Sequence, residues 1–199
     1  MVCDAALVLG FDTSAAHCAA ALLCGEQVLA VRAAEMGRGQ AEHLMPLLQD
    51  ILAEAGVTWA DLDRIGVGVG PGNFTGIRIS VSAARGLALA LNIPALGVSG
   101  FEAVAQANPE PHIAVLPGPR GMCYVQAAGA QPKLVPEDEA CDTTLQVAHL
   151  PAPADLAVAI ARVAARRADK PDEPPAPLYL KPADAAPPRD APPVILDDA

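Results

Sequence analysis

GVGVGPGNFTGIRIS, residues 66–80, decides how this chain is read. Glycines at 66, 68, 70 and 72 close an apolar run, and Thr75 to Leu91 continues with helical spacing. A glycine turn that feeds backbone N–H groups into a helix start has the geometry of an anion cradle. It is also the geometry of a strand-to-helix turn that needs close packing. A P-loop requires GxxxxGK followed by Ser or Thr, because the lysine reaches the β/γ-phosphates. No lysine precedes Lys133. A dinucleotide fingerprint read from Gly70 finds Gly72 and then Thr75 where its last glycine belongs. Both standard signatures fail, and the two general readings stay open.

Around this stretch the order is strand, strand, strand, helix, strand, helix, strand, an α/β layer on a mixed sheet. Ala5 to Phe11 is an apolar run ending at Asp12-Thr13-Ser14; His17 to Leu23 and Gln27 to Ala33 flank a hairpin-like break at Gly25. Residues 40–55 switch to helical spacing, with Leu44, Leu47, Leu48, Ile51 and Leu52 on one face and Gly56 as the stop. Pro46 predicts a helix that starts near it or bends there. Asp63 to Val69 leads into the glycines, Pro94 to Val98 is a further strand and Ser99 to Gln106 a short helix. From about residue 107 a smaller second half is expected, with strands at 112–116 and 122–127 and an Ala-rich helix at 153–168. Residues 171–199 hold nine of the 20 prolines and predict an extended strap or disordered tail.

Composition limits the function. The chain has 199 residues and a net charge of -10, so it lacks the basic surface that gives an independent nucleic-acid binder its affinity. Arg162, Arg166 and Arg167 are its densest basic group. Aromatics are 3% of the chain, so the core must be aliphatic and closely packed. Five scattered cysteines without a CxxC pair read as reduced thiols of a cytoplasmic protein. The N-terminal residues carry no basic stretch of a secretory signal. The longest uncharged run, residues 86–101, falls short of a membrane span.

Candidate chemistry is sparse. Asp12, Thr13 and Ser14 at a strand end suit a Mg²⁺ or phosphate site together with Gly70, Gly72 and Thr75, and equally suit an Asx turn. His43 lies on the 40–55 helix with Gly39 and Leu47 four residues away on either side, so no zinc-type pair forms. GxSxG is only approximated by residues 97–100, and no nucleophile–base pair supports a peptidase. No catalytic or metal residue is assigned. The firmer signal is the 75–91 helix, charged only at Arg78 and Arg85. It carries two apolar stripes, one of Ile77, Val81, Ala84, Ala88 and Leu91, the other of Ile79, Ala83, Gly86, Leu87 and Ala90. A sheet covers one stripe and something else must cover the other. A protein interface is expected there, formed by Leu44, Leu47, Leu48 and Ile51 with Ile77, Arg78, Val81, Ala84, Arg85 and Ala88.

Read together, LGFDTSAAHCAAALL (9–23), EHLMPLLQDIL (42–52), GVGVGPGNFTGIRISVSAARGLALALNIPALGVSGFEAVA (66–105) and PLYLKPADA (177–185) resemble the TsaB (YeaZ) family. The resemblance is dense over residues 5–106 and sparse afterwards. It implies an actin-like (ASKHA) fold of two related halves, divided here as 1–106, 107–170 and a 171–199 tail. It implies a non-catalytic dimerisation subunit that activates a TsaD homologue, with the TsaE ATPase, in transferring threonylcarbamoyl to the adenosine next to the anticodon of tRNAs reading ANN codons. ATP and metal are then expected on those partners and no cofactor on this chain alone; tRNA contact is indirect. The family's dimer uses the helices matching 40–55 and 75–91, and a homodimer through the same helices is the alternative pairing. The His-x-x-x-His metal pair of TsaD-type members is replaced by Gly39, His43 and Leu47. The family's Asp-Ala-Arg turn is replaced by Pro117-Gly118-Pro119-Arg120-Gly121, which keeps the Arg and loses the Asp. That departure counts against a working nucleotide site between the halves. The alternative function is a nucleotide-binding ATPase or kinase-like enzyme of the same fold.

Overall fold

The structure, a computed structural model, describes residues 5–108, 110–140, 144–167 and 173–180. Two mixed sheets organise it. The first has the order β3-β2-β1-β4-β5, formed by β1 (Leu7–Asp12), β2 (His17–Cys24), β3 (Gln27–Glu35), β4 (Arg64–Gly68) and β5 (Ala95–Val98). β1 pairs antiparallel with β2 and parallel with β4, so β1 is central and ends at Asp12. The second sheet, β8-β7-β6-β9, comprises β6 (His112–Pro117), β7 (Met122–Ala127), β8 (Lys133–Pro136) and β9 (Gln146–His149). Its pairings, β6 antiparallel to β7, β7 antiparallel to β8 and β6 parallel to β9, repeat those of β1 to β4. The two halves are therefore related in topology. The second is reduced: among the described residues no helix separates its third and fourth strands, whereas α1 (Gln40–Ala55) does so in the first.

β1 and β2 are buried on both faces because helices cover both. Their alternation sends Leu7, Leu9 and Phe11 toward α1 and α2 (Phe74–Leu91), and Val8 toward α4 (Pro153–Arg166). The Ala-rich composition of α4 has a cause here. A Cβ on Gly10 would lie 2.7 Å from the Ala157 carbonyl and from the Ala161 Cβ, and one on Gly66 2.8 Å from the Ala164 Cβ. Only a helix of small residues over a sheet of glycines sits this close. This corrects the expected division of the chain: α4, late in sequence, belongs to the first sheet and not to a separate 107–170 unit. Its arginines tether it there. Arg166 reaches Gln106 at 2.7 Å, and Arg167 reaches the Gly97 carbonyl at 2.8 Å and the Glu102 carboxylate.

Helix α1 starts six residues before Pro46 and runs through it, with left-handed Gly56 (φ 69°) closing it. An internal proline costs about 3 kcal/mol. Burial of Leu44, Leu47, Leu48, Ile51 and Leu52 outweighs that, at about 1.5–3 kcal/mol for each leucine or isoleucine. α3 (Gly100–Ala107) links the sheets, with Phe101 and Val104 in the core of the second. The described part of the expected tail, residues 173–180, forms a strap. Leu178 donates its N–H to the Val69 carbonyl at 2.8 Å, Leu178 packs on the first core and Leu180 on the second. The rest of the tail, including residues 181–185 of the quoted PLYLKPADA, lies outside the described residues, as do Cys3 and Cys141. Cys24 is disulfide-bonded, against the expectation that all five cysteines are reduced.

Candidate functional site

The sequence-predicted residues around Asp12 do come together, and what they build is a closed joint. β1 ends at Asp12, whose carboxylate is 2% exposed. Its Oδ1 accepts from the Ser14 N–H at 2.9 Å and the Ser14 hydroxyl at 2.9 Å, and lies 2.8 Å from His17 Nε2. This is an Asx turn with a buried imidazole added, so three groups converge on one carboxylate oxygen. Thr13 Oγ1 donates to the Gly76 carbonyl at 2.7 Å, and the Asn73 N–H donates to the Ser14 carbonyl at 2.6 Å. The β1–β2 turn and the β4–α2 loop are thus bonded to each other in both directions.

The glycines of the opening stretch make that joint possible. A Cβ on Gly68 would stand 1.8 Å from Asp12 Oδ2, on Gly72 2.4 Å from the Ser14 carbonyl, and on Gly76 1.9 Å from the Thr13 carbonyl. Gly70 has φ 99°, a left-handed conformation that favours glycine, and precedes a cis peptide bond to Pro71. At the start of α2, Asn73 caps the helix by accepting the Gly76 N–H at 2.9 Å. Thr75 is exposed and outside the joint. The void bounded by Asp12, Ser14, Gly68, Gly70, Pro71 and Leu150 measures about 10 Å³. One water needs about that much, and a nucleotide phosphate far more. A cavity of about 280 Å³ lies elsewhere, against the second sheet between Val115, Met122, Glu137 and His149.

The Asp12 charge is felt next door. Burial, and secondarily this carboxylate, pushes the Cys18 thiol up from 9.0 to about 11. His17, Gly68, Asn73 and Gly76 are structural partners that residue reasoning did not assign. For Gly68 the available signal was register: β4 runs parallel to β1, so its last glycine lies beside the end of β1, at Asp12.

The structure buries most of the residues expected at the helical interface. Leu44, Leu47, Leu48, Ile51, Ile77, Val81 and Ala84 are at most 5% exposed. They form the contact of α1 and α2 with the sheet and with each other, so these seven are core residues. Ala88 is half-buried, while Arg78 and Arg85 are exposed. The uncovered face of α2 instead carries Arg78, Ser82, Arg85, Gly86, Leu89 and Ala90. Leu89 is 86% exposed, and a Cβ on Gly86 would meet nothing within 4 Å. On α1, His43, Met45 and Gln49 are exposed. By length and composition alone α2 also passes as a membrane span, although one face of it packs on the sheet.

A protein-family model described as "TsaD: tRNA N6-adenosine threonylcarbamoyltransferase" matches residues 32–181. The "tRNA threonylcarbamoyladenosine biosynthesis protein TsaB" of Escherichia coli (strain K12) is 34% identical over 99 residues, 50% of this chain and 42% of that one. Its namesake in Haemophilus influenzae is 36% identical over 106 residues, 53% of this chain and 44% of that one. The chain thus spans under half the length of these curated relatives. A crystal structure described as an uncharacterized protein with similarity to peptidase YEAZ, from Pseudomonas aeruginosa, superposes with a TM-score of 0.73 at 26% identity. That match covers 88% of this chain and 100% of the other. Two mixed sheets with flanking helices, arranged as in that structure, are the actin-like α/β architecture that the resemblance implies.

Proposed function

Because this chain belongs to the TsaD family, on its TsaB (YeaZ) side, we propose that it is a non-catalytic docking subunit in tRNA threonylcarbamoyladenosine biosynthesis. Its uncovered α2 face engages a TsaD homologue and holds that subunit in an active arrangement. One observation carries this reading: an 18-residue helix presents Ser82, Gly86, Leu89 and Ala90 to solvent. Exposing an apolar leucine beside small residues has a cost in water that a partner surface removes. Small side chains also let a second helix approach closely, with interaxial distances near 8–10 Å.

The closed joint supports the same reading. An actin-like enzyme needs room for phosphates between its loops, and here the loops bond to each other around a void of about 10 Å³. Chemistry, ATP and metal are therefore assigned to the partners, and tRNA contact to the assembled complex, which matches the net charge of -10. TsaE is the expected third component. The test is co-purification with the host's TsaD homologue, followed by tRNA modification with and without this chain. Modification is expected only when the chain is added. Full modification without it would refute the activating role. Titration with ATP and Mg²⁺ separates the alternative, since micromolar binding by the lone chain would favour a nucleotide-binding enzyme.

A further inference from the structure

The C-terminal strap reaches the docking helix at one place. Tyr179 stacks on Phe74 with ring centroids 5.1 Å apart and an interplanar angle of 30°. The Arg78 guanidinium carbon lies 3.8 Å from the Phe74 ring centroid, and Arg78 Nε donates to the Tyr179 hydroxyl at 2.9 Å. All three side chains remain exposed; Phe74 and Tyr179 are each 44% so. A surface arginine is ordinarily a mobile, hydrated charge that loses rotamer entropy when it pairs. Here one ring fixes the plane of the guanidinium and one hydroxyl takes Nε, which leaves the Nη1 and Nη2 edge for an outside group. That edge matches a carboxylate bidentately.

The rest of α2 gives the same sign. Arg85 stands seven residues on, about 10 Å along the axis and on the same face. α2 holds no acidic residue. Neither Arg78 nor Arg85 enters an ion pair among the described residues, although the whole chain is acidic. A positive, partly preorganised stripe on the uncovered face of a negative protein selects for negative charge opposite it.

The geometry points to a partner surface that carries two carboxylates about 10 Å apart along a helix or strand, the first bound by Arg78. Tyr179 is a positioning residue that acts through Arg78. This inference rests on the docking role proposed above and names the chemistry of that partner. It gives the strap a purpose: Leu178, pinned to Val69 and the first core, brings Tyr179 to the helix.

The experiment measures affinity of the full chain for the host's TsaD homologue by calorimetry, for the native chain and for Arg78→Ala, Arg78→Lys, Tyr179→Phe and Arg78→Ala with Tyr179→Phe. Arg78→Ala is expected to weaken binding roughly 10- to 30-fold, as for a central interface arginine. Arg78→Lys should recover only a small part of that, because it keeps the charge and loses the fork. Tyr179→Phe should cost about 3- to 10-fold, the worth of one ordinary hydrogen bond, felt through the lost orientation of Arg78. In the Arg78→Ala background Tyr179→Phe should add less than about twofold, since its effect passes through Arg78. The deficit of Arg78→Ala should also narrow as salt rises. In the free chain, the Arg78 Nε–H resonance should be protected in the native protein and lost in Tyr179→Phe.

Native affinity in Arg78→Ala, or an equal Tyr179→Phe loss in both backgrounds, overturns the inference. If Leu89→Glu abolishes binding while Arg78→Ala does not, the docking role stands and only the carboxylate partner is refuted. If the native chain does not bind the homologue, both fall. Self-association that Arg78→Ala abolishes would put the carboxylates on a second copy, which also overturns the assignment.

Discussion

Replacing Gly76 with alanine puts a single methyl group where the two loops cross. The added Cβ would lie 1.9 Å from the Thr13 carbonyl oxygen and 3.0 Å from its carbon, both backbone atoms that no rotamer change can move. To restore van der Waals contact the start of α2 must retreat from the β1–β2 turn by more than about 1 Å, since carbon and oxygen rest near 3.5 Å. That retreat breaks the Thr13 Oγ1 to Gly76 bond and weakens the Asn73 to Ser14 bond, now 2.7 and 2.6 Å. Overpacking costs about 1–3 kcal/mol and each lost hydrogen bond about 1 kcal/mol. Alanine's better helix propensity returns about 1 kcal/mol. The net expectation is a loss of about 2–4 kcal/mol, read as a drop in urea midpoint at unchanged slope and a fall in Tm of roughly 5–15 °C. Gly86 lies on the same helix with open space around it, so Gly86→Ala should gain about 0.5–1 kcal/mol. The pair separates close packing from helix propensity. If Gly76→Ala were neutral or stabilising, the joint would not be what these glycines serve.

Three further outcomes follow from the same contacts. Leu47→Glu, at a core position 5% exposed, should unfold the chain or cost more than about 4 kcal/mol by urea titration; a folded variant that merely loses its partner would return Leu47 to the interface. Asp12→Ala strands the Ser14 N–H, the Ser14 hydroxyl and His17, and a loss of about 3 kcal/mol is expected in thermal melts, with ATP binding unchanged from the native chain. The Cys18 thiol titrates near 11 when folded against 9.0 as a free group, so the unfolded chain releases its proton first on raising the pH. Its contribution to stability is full below about 9 and is lost as pH rises through about 11. Cys18→Ala should flatten that alkaline decline, and an unchanged decline would rule Cys18 out as its source.

Much of this was legible in the residues, for definable reasons. β1, β2, α1 and α2 announce themselves because apolar period and caps agree, and Asn73, Asn92 and Gly56 stand where they begin or end helices. The failure of the phosphate signatures was legible from the missing lysine. The choice between the two stripes of α2 was not. Both are apolar or small, and periodicity reports an angle around the axis without saying which side the sheet occupies. Ile77, Val81 and Ala84 face the sheet, Ile79, Ala83 and Leu87 of the second stripe also pack against the core, and the exposed face carries Gly86 and Ala90 with Leu89, which belongs to neither stripe. β8 and β9 are four residues each, too short for a period to register. That α4 returns to the first sheet depends on Gly10 and Gly66 meeting Ala157, Ala161 and Ala164, a pairing across about 100 residues or more that no local pattern encodes. The same distance hid the strap: Tyr179 meets Arg78 101 positions away.

Leu89 tests the central claim most directly. It is 86% exposed on the uncovered face of α2, so Leu89→Glu should leave Tm within about 2 °C of the native value. The measurement is calorimetric affinity of this variant for the host's TsaD homologue beside that of the native chain. The docking account predicts that native binding is lost by about 100-fold or more. Binding within about threefold of native, by a variant that is folded, would contradict it.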